Sequence, residues 1–107
     1  MAQNSQYGII LVTASSEQEA KELAKSLVAS QLAACVSLMP IQSVYNWEGE
    51  LHQEQEWQLL IKTQLSKFEP ISTKIQQLHS YEVPEIIAIP LVAGFDAYLD
   101  WIDAQVT

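Results

Sequence analysis

Arginine is absent from this 107-residue chain, and 5 lysines stand against 13 aspartates and glutamates. A formal net charge of -8 with no guanidinium leaves no electrostatic footprint for nucleic acid and no bidentate clamp for phosphate. An anionic membrane would repel such a surface, so neither nucleic acid nor membrane is an expected partner. Cysteine occurs once, at Cys35, which excludes an internal disulfide and any multi-cysteine zinc or iron–sulfur centre within one chain. The three glycines, Gly8, Gly49 and Gly94, stand too far apart for a phosphate-cradling loop. A nucleophile elbow is missing, as is a histidine pair at metal-helix spacing. No apolar run approaches the ~20 residues of a membrane helix. The opening Met-Ala-Gln-Asn-Ser-Gln has neither a basic segment nor a signal-peptide core, so the expected compartment is the cytoplasm, with Cys35 reduced.

What is present suits one packed domain, expected over residues 1–107: hydrophobic residues make up 49% of the chain. Charged residues are only 17%, below the roughly 25% usual in soluble domains, which points to surface buried against another subunit. Strand-like and helix-like segments alternate. The run Ile9-Ile10-Leu11-Val12 marks a buried strand over 7–14. Ser16 and Glu19 form a capping box ahead of Ala20, Leu23, Ala24, Leu27 and Val28 at helical spacing. A long strand over 34–47, with Pro40 demanding an edge or a bulge, turns at Glu48-Gly49-Glu50 into a returning strand over 51–63. Such strands would span ~40 Å at about 3.3 Å per residue, so the hairpin should project, with Tyr45, Trp47 and Trp57 as subunit contacts. Ser66 and Glu69 offer a second capping box before Phe68, Ile71, Ile75 and Leu78, with Pro70 awkward inside it. A fourth strand is expected over 83–91, and Phe95, Tyr98, Leu99 and Ile102 mark a short C-terminal helix. The expected fold class is α/β (α+β): a ferredoxin-like β-α-β-β-α-β sandwich with a long second-to-third-strand hairpin.

Four places could carry chemistry. Cys35 lacks a basic or helix-N-terminal neighbour and reads as a small buried apolar residue. His52, Glu54 and Glu56 share one strand face by period-2 spacing, as a divalent-ion site or as a solvated hairpin face. Lys62, on the Glu56 face, reads either as a snorkelling strand-end lysine or as a grip for an anionic or zwitterionic ligand. The loop His79-Ser80-Tyr81-Glu82-Val83-Pro84-Glu85 concentrates imidazole, phenol and carboxylates and favours a binding role.

Those last segments carry a resemblance. The stretches ACVSLMPIQSVYNWEGEL (34–51), EWQLLIKT (56–63), HSYEVPEIIAIPLVAG (79–94) and YLDWI (98–102) resemble the CutA family of small divalent-cation-tolerance proteins over nearly the whole chain. The resemblance implies a ferredoxin-like homotrimer similar to PII-type signal proteins, acting in the response to copper and other divalent cations by binding or signalling, not as an enzyme. Alternatives are a small-molecule or enzymatic site in the inter-subunit cleft, and a structural module anchoring another protein. Matching positions imply that Trp47, Glu56, Lys62, Tyr81 and Glu85 cluster in that cleft. Some relatives' copper sites use a Cys at the end of the first strand and consecutive histidines before the tyrosine loop. Here Val12 and Leu78 stand at those positions, leaving His79, and Ser80 replaces a proline. The implied metal chemistry is therefore weak copper or zinc binding through His52, His79 and carboxylates, with no obligatory cofactor.

Overall fold

The structure, a computed structural model, describes residues 6–107, so the N-terminal reading over 1–5 lies outside the described residues. Strand β1 (Tyr7–Ala14), helix α1 (Glu17–Ala29), strands β2 (Cys35–Trp47) and β3 (Glu50–Gln64), helix α2 (Phe68–Leu78), strand β4 (Ile86–Pro90) and helix α3 (Asp96–Gln105) follow in order. The four strands form one antiparallel sheet in the order β2-β3-β1-β4. This is the expected ferredoxin-like arrangement.

Alternation along the strands splits the sheet into two unlike faces. Ile10, Val12 and Ala14 of β1, with Leu59 and Ile61 of β3, are buried beneath Ala20, Leu23, Ala24 and Leu27 of α1 and Ile71 and Ile75 of α2. Val28, expected on the apolar side of α1, is exposed. Residues one step along, Ile9, Leu11, Leu60, Ile87 and Ile89, face the other way and register with one another across β3, β1 and β4; α3 packs at the end of this face, through Ile102 beside Tyr7 and Ala34, while Ile87 and Ile89 stay exposed.

The hairpin turns through Glu48 (φ 52°) and Gly49 (φ 82°), opposite Trp47 and Glu50. Two consecutive positive φ values make the tight two-residue turn whose twist matches antiparallel strands, and glycine takes the second at no steric cost. Only residues 57–64 of β3 pair with β1, so residues 50–56 pair with β2 alone and project as a two-stranded arm. Trp57, expected at a subunit contact, sits at the root of that arm and packs against the helix-side core. Pro40 lies within β2 at the sheet edge, where the missing N–H costs no ladder bond.

Two expectations are corrected. The Ser66–Glu69 box does not form: residues Leu65–Lys67 make a 3-10 turn, and α2 begins at Phe68 with no side-chain cap. Pro70 thereby falls at the third helical position, where the lacking N–H has no intrahelical acceptor to lose. Strand β4 starts at Ile86 rather than at Val83. The Thr13 carbonyl accepts from the His79 side chain, and Pro84 has no N–H with which to extend the ladder.

Candidate functional site: a cleft between the hairpin arm and the loop before β4

Where the arm leaves the sheet, its face and the 79–85 loop enclose a cavity of about 740 Å³. Strand parity places Ile41, Tyr45 and Trp47 of β2 beside Glu56 and Gln58 of β3 along one wall; Tyr81, Glu82 and Glu85 form the other.

The loop is held by α1. Ser16 caps the helix by accepting from the Glu19 N–H, as expected. The reciprocal bond is displaced by one residue: Glu19 Oε1 accepts from the N–H and hydroxyl of Ser15, while its Oε2 accepts from the Ser80 N–H at 2.8 Å. Burial of this carboxyl raises its pKa, but bonds from the Ser15 and Ser80 backbone N–H groups and hydroxyls outweigh that, bringing it from 4.5 to about 2. A carboxylate held below its unfolded pKa stabilises the fold above about 4.5 and loses that contribution as pH falls toward about 2. Glu19→Gln is therefore expected to lower Tm by a constant amount above pH 5 and by a shrinking amount between pH 4.5 and 2. Parallel thermal melts across that range check this.

His79 continues the tether. Its ring accepts from the Tyr81 N–H at Nδ1 (2.9 Å), so Nε2 carries the proton and donates to the Thr13 carbonyl (2.7 Å). Glu19 Oε2 lies 3.6 Å from Nδ1, and the imidazole has no exposed surface. To ligate a metal, His79 would have to give up one of these bonds. The consequence of the tether is that Tyr81 is aimed back at the sheet, where its hydroxyl donates to Glu56 Oε2 at 2.6 Å. Burial and then the Glu56 bond push the Tyr81 phenol pKa upward. On the arm, the Tyr45 hydroxyl donates to Glu54 at 2.5 Å, and that bond raises its pKa to about 12.

The structure thus brings Trp47, Glu56, Tyr81 and Glu85 to one cavity. Lys62 is not among its lining residues. It stands six residues along β3 on the same sheet face, opposite Cys35, and its ammonium donates to the Ser37 hydroxyl. Cys35 is half-buried. His52 and Glu54 share the arm's face as expected: His52 stacks on Tyr45 at 5.3 Å, and Glu54 accepts from the same tyrosine. Among the described residues no group of three or more His, Cys, Asp or Glu side chains is arranged to hold a metal ion.

Thr13 and Gln58 were not singled out by sequence reasoning, and Tyr45 and Glu19 were read only as a subunit contact and a helix-capping residue, not as parts of this site. For Tyr45 a signal existed, because a two-residue turn at Glu48-Gly49 sets Tyr45 opposite His52 and diagonal to Glu54. For Thr13, and for the bond that ties Glu19 to Ser80, there was none, since those partners lie more than 60 residues away.

A family profile described as CutA1 divalent ion tolerance protein matches residues 8–105. The chain belongs to this family. The divalent-cation tolerance protein CutA of Thermus thermophilus is 43% identical over 95 residues, covering 88% of this chain and 92% of the relative. The CutA protein of Archaeoglobus fulgidus is 40% identical over 100 residues, covering 94% and 98%. Among solved structures, the A. fulgidus protein, described as a periplasmic divalent cation tolerance protein, superposes with a TM-score of 0.93 over 94% of this chain and 99% of its own. The T. thermophilus structure gives 0.91 over the same shares. The family fold is therefore the fold seen here.

Proposed function

We propose that this chain acts in tolerance of divalent cations, copper among them, as a homotrimeric cytoplasmic protein that binds or signals and does not turn over a substrate. The observation that carries the binding reading is the Tyr81–Glu56 pair. A buried carboxylate holds a phenol whose pKa is raised, and Tyr45 repeats the arrangement on Glu54. Groups that keep their protons through neutrality present a fixed pattern of donors and acceptors, which suits recognition; acid–base turnover needs a group titrating near the working pH. The role in cation tolerance is carried over from relatives of which this chain matches 92% and 98% of the length.

Assembly is supported by the uncovered part of the sheet face, where Ile87 and Ile89 are 52% and 47% exposed beside Ile9 and Leu60. An apolar sheet face of this kind marks an interface. Lys62, on the same face with Ser37 as its partner, would find its carboxylate on a neighbouring subunit. Weak copper or zinc contact would fall to His52 and the arm's carboxylates, and no cofactor is required. The cytoplasmic placement rests on the absence of a signal-peptide core from the opening residues; among the described residues no helix is long and apolar enough to cross a membrane.

The test is complementation. A bacterial strain lacking its own CutA relative should grow several-fold less well at a sublethal copper concentration, and this chain should restore growth. Restored growth supports the reading; a strain indifferent to the presence of the chain across copper, zinc and cobalt refutes it.

A further inference from the structure

Glu56 is only 6% exposed, and it lines the cleft. One of its oxygens accepts from Tyr81; the other has no protein donor among the described residues and meets the solvent of the cleft. No lysine or histidine lies in ion-pair range of it among those residues. That oxygen is therefore free to exchange its water for an entering cation, in a site where little solvent screens the attraction. Glu82 and Glu85 add two more carboxylates on the opposite wall, and no lysine or histidine lines the cavity.

Two features identify the kind of cation. The carboxylates do not converge: no group of three ligating side chains is arranged around one point among the described residues, and a cavity of about 740 Å³ far exceeds a single ion. The space between them is walled by the rings of Tyr45, Trp47 and Tyr81. Separated carboxylates across an aromatic-walled space match positive charges spaced along an apolar chain. Ammonium groups lie favourably on aromatic faces, while methylenes fill the gap that a hydrated metal ion would leave wet. We propose that the cleft binds an aliphatic di- or polyamine, with one ammonium on the free oxygen of Glu56 and the chain running over Trp47 and Tyr81 toward Glu82 and Glu85. The inference rests on the reading of this cleft as a ligand-binding site and adds the class of ligand.

The probe is spermidine, titrated calorimetrically into the purified full chain at physiological salt, with magnesium chloride as the charge control. Saturable binding is expected at one site per chain, undiminished by magnesium at equal charge concentration. Glu56→Gln should weaken it at least tenfold; the glutamine oxygen can still accept from Tyr81, so the cleft keeps its shape. Trp47→Ala should weaken it several-fold. Should Glu56→Gln fail to fold, Glu85→Gln, an exposed rim change, is expected to cost several-fold. Spermidine binding that magnesium abolishes at equal charge, or that neither glutamate change alters, overturns the proposal. A chain that restores copper tolerance yet ignores spermidine refutes the amine inference alone. A chain that binds spermidine through Glu56 but confers no tolerance refutes the tolerance reading alone.

Discussion

Sedimentation equilibrium at micromolar concentration is expected to give about 36 kDa, three chains of 12.0 kDa each, and Ile89→Asp is expected to reduce it to a single chain. Ile89 pairs with Ile9 in the sheet and points away from the helices, so in an isolated chain an aspartate there would simply be solvated. The fold should therefore survive, with its far-ultraviolet circular dichroism unchanged. In an assembly the same carboxylate would enter an apolar contact once per subunit. Ile9, Leu60, Ile87 and Ile89 are already partly buried in one chain, so completing their burial contributes about half or less of the ~1.5–3 kcal/mol of a full side chain. An unpaired charge in their midst removes that and adds a desolvation cost of several kcal/mol. Such a sum, repeated at each interface, exceeds what a trimer can lose at micromolar concentration. A wild-type chain sedimenting at 12.0 kDa refutes the assembly, and an Ile89→Asp chain still at 36 kDa moves the interface to another face.

The second large effect is expected at His79. In metal-free buffer containing a chelator, His79→Ala should cost ~2–5 kcal/mol, read as a lowered Tm at fixed protein concentration. The change strands two buried groups, the Thr13 carbonyl and the Tyr81 N–H, at about 1–3 kcal/mol each, and leaves the imidazole's space empty. The damage should reach the cleft: once the loop slackens, Tyr81 no longer donates to Glu56, and spermidine affinity should fall with it. A ligand role for His79 makes the opposite forecast. Under chelation the melt would be unchanged, and only metal affinity would suffer.

The two sites explain why the sequence was legible in some places and opaque in others. Periodicity was sufficient wherever a residue's environment follows from its neighbours. Alternation in β1 and β3 and the apolar spacing of α1 set which side chains enter the core, Ser16 capped its helix as expected, and Glu48-Gly49 set the hairpin register. Pro40 announced an edge or a bulge because a missing N–H is tolerated there, and β2 is an edge strand. Motif spacing was specific enough to identify the family, and with it four residues that meet in one cavity. Local signals failed where a distant group competed for the same atoms. Ser66 and Glu69 had capping chemistry, but the 3-10 turn ahead of Pro70 took the backbone elsewhere. Residues 83–85 had strand character, yet His79 had already claimed the Thr13 carbonyl beside them. Nothing near position 79 shows that its imidazole is a buried strut, or near position 62 that its ammonium turns to Ser37. Thus the sequence alone determined the element order, the two-faced sheet and the projecting arm, because hydrophobic period and turn chemistry act over a few residues. Tertiary structure alone decided which polar groups are free to meet a ligand, because a hydrogen-bond partner is chosen by proximity in space, and here those partners lie 25 to 66 residues apart.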